Sequence, residues 1–276
     1  MAELCIVHLA RGANGPEPLR RFLDSYGRHR AGIAHDLVVV FKGYGADGEL
    51  ARDCAAAKAA GATPLVLDSD DGFDLGSYFQ SAEQVPYTYL CFLNSFSRII
   101  VDDWLGHLWR AIEQPGMGMV GATGSWESGA ANPWFRFRHH PDMAVRGQPA
   151  DLLRVPWHSR HFPWFPNPHL RSNAFLLRRD LMLSLKRGRL TRKADLHFLE
   201  SGYRSLTRQV QAHGLSVAVT GADGRVYPPE AWSDARVFRT GAQENLLVSD
   251  NRTEQFARAT AAERCWLEGI AWGCWG

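Results

Sequence analysis

The chain has 276 residues, 45% of them apolar, which is enough for one large buried core or two small ones. Its 31 Lys and Arg against 29 Asp and Glu leave a formal net charge of +2, and this excludes a protein held to nucleic acid by bulk positive charge. Cys5, Cys54, Cys91, Cys265 and Cys274 form no Cys-x-x-Cys pair and no zinc spacing, so they read as reduced, mostly buried thiols.

Leu4 to Leu9 predicts a first strand, with no basic leader before it and nowhere the ~18 apolar residues of a membrane span. The expectation is a cytoplasmic protein, with peripheral membrane association left open. A Gly/Asn/Pro turn from Arg11 to Pro18 leads into Leu19, Phe22, Leu23 and Tyr26 at helical spacing. Leu37 to Phe41 predicts a second buried strand ending in Lys42-Gly43, and Glu49 to Ala60 an alanine-rich helix closed by Gly61. Pro64 to Leu67 is the third strand, followed by a helix over Asp74 to Ala82. Tyr87 to Leu93 is the fourth, followed by a helix over Trp104 to Ile112.

Continuous apolar strands alternating with helices predict an α/β fold, a mostly parallel Rossmann-like sheet with helices on both faces. Ligands of such sheets sit at the carboxyl ends of the strands. Here those ends carry Ala10-Arg11, Lys42-Gly43, Asp68 to Asp71 and Asn94-Ser95.

Beyond Val120 the pattern changes. Gly121 to Pro168 is rich in Gly, Pro, Trp, His and Arg without clean periodicity, and predicts loops and short strands over the open edge of the sheet. Phe175 to Leu177 is a strand candidate, Arg179 to Ser184 begins a helix, Tyr203 to Ala212 is another, and Leu215 to Val219 is a late strand. One C-terminal helix is expected from Gln255 to Trp272. The reading is one domain with a first half (1–120), a second half (121–254) and a C-terminal helix (255–276). Of ten tryptophans, Trp126, Trp134, Trp157, Trp164 and Trp232 fall in polar, Gly/Pro-rich stretches. Such flat faces suit sugar rings, although core filling is the commoner use of tryptophan.

Three segments carry a family likeness: YLCFLNSFSRI (Tyr89 to Ile99) with Asp102-Asp103-Trp104-Leu105 after it, NAFLLRR (Asn173 to Arg179), and ESGYRSLTRQVQAHGLSVAV (Glu200 to Val219). In this order the chain resembles the A-type glycosyltransferase fold, particularly the bacterial family 2 enzymes and rhamnan-synthesis-like relatives, over roughly Leu4 to Val219. The resemblance implies a nucleotide-sugar donor bound by the first half and a saccharide acceptor bound by a loop-rich second half, in surface polysaccharide or glycan synthesis.

In such enzymes a nucleoside diphosphate departs with added negative charge that something positive must stabilise. The family's Asp-x-Asp position reads Asn94-Ser95-Phe96, and a neutral Asn94 is a weak ligand for Mg or Mn, so no metal residue is assigned. The resemblance then puts Asn94 on the ribose or diphosphate, with Lys42, Arg171 or Arg178 supplying charge; alternatively Asn94 only caps its own turn. The nucleotide-binding candidates are Ala10, Arg11, Lys42, Asp68, Asp70, Asn94 and Ser95. Asp68 and Asp70 can accept from a base N–H or from ribose hydroxyls, and Asp74 is expected as a helix N-cap.

Transfer with inversion needs a carboxylate to take the acceptor's proton. Glu200 is the first candidate, Asp195 the second and His197 a less favoured third; the alternative for Glu200 is a helix-start carboxylate. For the sugar side the loops Gly124 to Ser128 and Trp157 to Asn173 supply Trp126, Trp164, His169, Arg171 and Asn173. Gln243 to Thr253 is dense in hydrogen-bonding side chains but suggests no mechanism, and Asp250 to Arg252 reads as a helix start.

Two further readings stand beside transfer. One is a non-catalytic nucleotide- or glycan-binding relative. The other is a sugar nucleotidyltransferase, for which Arg11 to Gly15 is a faint Gly-rich loop. A methyltransferase is disfavoured because no Gly-x-Gly-x-Gly follows the first strand.

Overall fold

The computed structural model describes residues 2–45, 47–139, 153 and 155–274. Alternation in the first strand, β1 (Leu4–Arg11), sets the layering. Cys5, Val7 and Leu9 join one buried cluster while Leu4, Ile6 and Ala10 join the other, because successive strand side chains point to opposite faces. The helix α1 (Glu17–Arg28) covers the second of these faces with Leu19 and Phe22. The strand β2 (Asp36–Lys42) follows, then α2 (Asp47–Ala59), β3 (Thr63–Val66) and α3 (Phe73–Gln84). On the opposite face α3 packs Leu75, Tyr78 and Phe79. After β4 (Tyr89–Leu93) and the short β5 (Arg98–Ile99), α4 (Trp104–Ile112) returns to the face of α1 with Trp104, Leu105 and Leu108. Each such fully buried apolar side chain contributes roughly 1.5–3 kcal/mol.

The second half contains β6 (Met117–Gly121), β7 (Gly124–Ser125), α5 (Asn132–His139), α6 (Val155–His161), β8 (His169–Leu170), β9 (Ala174–Arg178), α7 (Arg179–Ser184) and α8 (Lys193–Ser201). It continues through α9 (Leu206–Ala212), β10 (Ser216–Thr220), β11 (Val226–Tyr227), β12 (Val248–Ser249), α10 (Asn251–Arg258) and α11 (Ala261–Trp272). The main sheet has the order β11-β10-β6-β9-β4-β1-β2-β3, and all its strands run parallel except β9 and β11. The α/β class, the mostly parallel sheet and the helices on both faces are those the sequence predicts.

Several expectations need correction. The stretch read as loops and short strands contains the helices α5 and α6, whose mixed Trp, Arg and His content hides any apolar stripe; residues 140–152 and 154 of it lie outside those described. Helix α8 was not expected. The C-terminal helix is two, because Thr260 leaves the helical path and caps α11 through a reciprocal pair with Glu263. Of the cysteines, Cys5 and Cys91 are fully buried, but Cys54 and Cys265 are only partly so and Cys274 is exposed. Among the described residues no helix is long and apolar enough to cross a membrane.

Trp232 is wholly buried and donates its indole N–H to the Tyr227 carbonyl at 2.9 Å. Its ring lies against Gly124, where any added Cβ would stand 2.5 Å from it, so the close approach requires glycine. Trp104 is likewise core.

Candidate functional site

β1 and β2 end in register at Arg11 and Lys42, which brings two cations to the carboxyl edge of the sheet. Asp70, in the turn after β3, receives the Arg11 fork at 2.9 and 2.6 Å. The Lys42 side chain is fully buried; its Nζ donates to the carbonyls of Asp71 and Phe73 at 3.1 and 2.9 Å and lies 3.5 Å from Asp70. Burial pushes the Lys42 ammonium below its ordinary range against the pull of Asp70, and the bond from Arg11 holds Asp70 below the usual carboxylate range. Asp74 is not the N-cap of α3. Gly72 occupies that place at φ 79°, and Asp74 sits half-buried in the first turn, where burial raises its pKa. Lys42 and Glu200 act on it with opposite sign, which puts the two halves of the molecule within electrostatic reach of each other.

Asp68 is exposed and its carboxylate makes no hydrogen bond among the described residues. Ala10 is buried within β1. The Asn94 carbonyl oxygen accepts from the Phe96 N–H at 3.0 Å and the Ser97 hydroxyl at 3.1 Å, so it closes its own turn. Ser95 is buried, its hydroxyl without a partner among the described residues. With one neutral oxygen already engaged, a sunken hydroxyl and an exposed Phe96, this segment does not fit a hard divalent cation, and no step is assigned to one. Among the described residues no group of three or more His, Cys, Asp or Glu is arranged to hold a metal.

A cleft of about 430 Å³ opens in the second half, within the range of small-molecule sites. Ser125 lines it from the end of β7 and Glu127 from the loop after it, His169 from β8, Glu200 from the end of α8, and Arg252 from α10. Glu200 is in the last turn of its helix, not at a helix start, and there the helix dipole disfavours a carboxylate. What holds it is Ser172, whose backbone N–H and hydroxyl both donate to Oε1 at 2.9 and 2.7 Å. Burial works to raise its pKa, but those two bonds, with the charge of Arg171, keep it below the ordinary glutamate range and therefore ionised at neutral pH. Its second oxygen has no hydrogen bond among the described residues.

His169 is buried, and its Nδ1 stands 2.8 Å from the Asn167 carbonyl. A carbonyl can only accept, so Nδ1 carries the hydrogen; burial lowers the ring's pKa, and the neutral ring keeps a bare lone pair on Nε2. Arg171 donates to Asp250 at 2.8 Å and to Thr123, with its guanidinium 4.1 Å above the Phe238 ring. Asp250 in turn caps α10 by accepting from the N–H groups of Arg252 and Thr253. Asn173 is buried where β9 begins, takes the Thr123 hydroxyl on its side chain, and accepts the Asn94 N–H on its carbonyl at 3.0 Å. It joins the β4 tip to the second half.

Four other candidates lie elsewhere. Arg178 pairs with Tyr89 in register at the opposite edge of the sheet, because β9 runs antiparallel, and its guanidinium is engaged by Asp180 at 2.9 Å. It cannot serve the strand tips. Asp195 closes the start of its own helix, accepting from Thr191 and Arg192, and the Arg192 bond leads in holding its pKa down at about 2. Trp126 donates to the Pro229 carbonyl and packs edge-on against Trp272, while Trp164 is half exposed; neither lines the cleft. Sequence reasoning missed Arg239, which lines the cleft and reaches Glu127 at 3.2 Å, and it gave Arg252 no role in a site; Glu127 fell within the loop Gly124 to Ser128 expected on the sugar side. The polar density of Gln243 to Thr253 was the available signal for Arg252; Arg239 had none.

No family model matches the chain, and no curated protein matches it. It is similar in fold to solved glycosyltransferases. A mannosyltransferase from Pyrobaculum calidifontis, in complex with GDP-Man and Mn2+, aligns at 12% identity over 85% of this chain and 60% of its own, with a TM-score of 0.47. Glucosyl-3-phosphoglycerate synthase from Mycobacterium tuberculosis aligns at 16% identity over 64% of this chain and 57% of its own, TM-score 0.37. TarS from S. aureus, in complex with UDP-GlcNAc, aligns at 11% over 44% and 34%, TM-score 0.36. The aligned part spans about a third to three fifths of these structures' length.

Proposed function

We propose that the chain is a glycosyltransferase that moves a sugar from a nucleotide-sugar donor to a saccharide acceptor, in surface polysaccharide or other glycan synthesis on the cytoplasmic side of a membrane. The observation that carries this reading is Glu200: an ionised carboxylate fixed through one oxygen by Ser172, its other oxygen uncommitted among the described residues, in the wall of a sugar-sized cleft. Residues 1–120 supply the nucleotide side, with Ala10, Arg11, Lys42, Asp68, Asp70, Asn94 and Ser95 at the strand tips. Residues 121–254 supply the acceptor side, closed by the helices of 255–276.

In the step itself, Glu200 takes the proton of an acceptor hydroxyl. The freed oxygen bonds to the anomeric carbon as the bond from that carbon to the diphosphate breaks, and the electron pair leaves with the diphosphate. Lys42 and Arg11 stabilise the departing charge. His169, through Nε2, accepts from a sugar hydroxyl beside the reacting one, and Arg171 and Asn173 keep that wall in position.

Incubation with UDP-, GDP- and dTDP-sugars and mixed saccharide acceptors, with free nucleotide as the readout, tests the reading. Turnover that vanishes in Glu200→Gln while nucleotide still binds supports it. Nucleotide binding without turnover on any acceptor favours a binding module, the reading to which the self-capped Asn94 lends weight.

A further inference from the structure

Arg239 enters the cleft from a stretch of unusual backbone. Arg236, Arg239 and Gln243 have φ of 54°, 46° and 54°, a left-handed conformation that persists in non-glycine residues only where the surroundings enforce it. Gln243 is the clamp: its carbonyl oxygen accepts from the Arg239 N–H at 3.0 Å, and its amide donates to the Thr253 carbonyl at 3.0 Å. The clamp delivers a buried guanidinium to the cleft, 4.9 Å from the Phe238 ring that Arg171 also covers. Arg252, in the first turn of α10, lines the same cavity. Burial first, and then the facing charges of Arg171 and Arg252 against the pull of Glu127, hold the Arg239 pKa below the usual arginine range.

Donors here outnumber acceptors. A guanidinium carries five N–H groups. Arg239 spends one on Glu127 at 3.2 Å, and its Nε is buried with no partner among the described residues. Among the described residues Arg252 donates to Gln255 alone, at 3.4 Å. Of the nearby carboxylates, Glu127 holds Asn132 as well as Arg239 and Asp250 caps α10 and takes Arg171, so both are engaged through both oxygens, while Glu200 is held by Ser172 through one. A guanidinium fork bound at one tine only is matched by an oxyanion that can fill the rest.

We propose that this end of the cleft is a subsite for a phosphate or carboxylate group carried by the ligand, with Arg239 and Arg252 as its cationic partners. It deepens the transfer reading, which supplies only the name of the ligand: an acidic sugar acceptor or the diphosphate of the donor. Binding displaces Glu127 from Arg239, and Asn132 retains the freed carboxylate.

The test is calorimetry on the full chain at low salt with inorganic pyrophosphate, glucuronate and glucose. Expected is millimolar or tighter binding of one or both anions, weaker or no binding of glucose, and at least a tenfold loss of anion affinity in Arg239→Met. Should Arg239→Met fold poorly, Arg252→Met, altered at an exposed position, is expected to lose several-fold, while Arg178→Met at the far edge of the sheet stays as the native chain. Loss confined to pyrophosphate assigns the subsite to the donor diphosphate; loss confined to glucuronate assigns it to the acceptor. Equal anion affinity in the native chain and both cleft variants overturns the proposal. Anion binding in a chain that transfers no sugar sinks the transfer reading and leaves this one standing.

Discussion

The strand tips and the cleft share one edge of the molecule but hold their charges differently. At the tips Arg11, Lys42 and Asp70 satisfy one another and the turn after β3, so a ligand there competes with ion pairs already made. In the cleft Glu200 is engaged through one oxygen among the described residues and the guanidinium donors are in surplus, so a ligand there completes partners that the fold leaves open. The difference teaches that charge at a site is informative chiefly where the protein has not already cancelled it. In the proposed function the tips are the scaffold that positions a nucleotide, and the cleft is the place where chemistry is directed.

The largest expected effect would break this comparison outright. Glu200→Gln should lower turnover about 10²–10⁴-fold at unchanged nucleotide affinity, whereas Asp68→Ala should weaken nucleotide binding by roughly three- to tenfold, the worth of one hydrogen bond. If both variants impair both quantities alike, tips and cleft are one site and the division fails. Next in size, Trp232→Ala should cost about 3–5 kcal/mol, seen as a single urea transition at a lower midpoint. Two separate transitions would mean that the halves unfold independently.

A smaller effect belongs to the first half alone. His8 is buried in β1, stacked 3.7 Å from Phe22, and burial lowers its pKa to about 3 from an unfolded value near 6.5. Between those values the unfolded chain binds a proton that the folded chain refuses. The stability His8 leaves intact above pH 6.5 therefore drains as the pH falls, by about 2 kcal/mol between pH 7 and pH 5. Urea titrations of the native chain and His8→Phe at both pH values check this: the native chain should lose more, and equal losses would show that His8 titrates normally. The smallest effect is Asp195→Ala, which removes a helix cap and should shift the melting midpoint slightly without changing turnover. A turnover loss near that of Glu200→Gln would instead make Asp195 the base.

Much of the first half was legible in the sequence because its signals are local. Leu37 to Phe41 can only be a buried strand, Trp104 to Ile112 carries its own helical stripe, and the polar residues after each strand mark the carboxyl edge. Glu200, His169, Arg171 and Asn173 were also singled out from sequence, and the structure brings all four to the region around β8 and the cleft. What sequence could not supply is direction and company. NAFLLRR reads as a strand either way round, and only its pairing between β4 and β6 reverses β9, sending Arg178 to the far edge and Asn173 to the near one.

Asp195 and Glu200 look equivalent as carboxylates five residues apart, yet one is consumed by its helix start and the other is held by Ser172 from a distant turn. Arg239 has no periodic or motif signal at all; its role comes from a clamp by Gln243 and a cavity shared with Glu127, more than a hundred residues earlier. Side-chain period and turn chemistry are written in neighbouring residues, so the sequence by itself determined the elements and the class of fold. Strand order, the burial of each charge and the partner it meets depend on contacts between remote segments, and those only the tertiary structure decided.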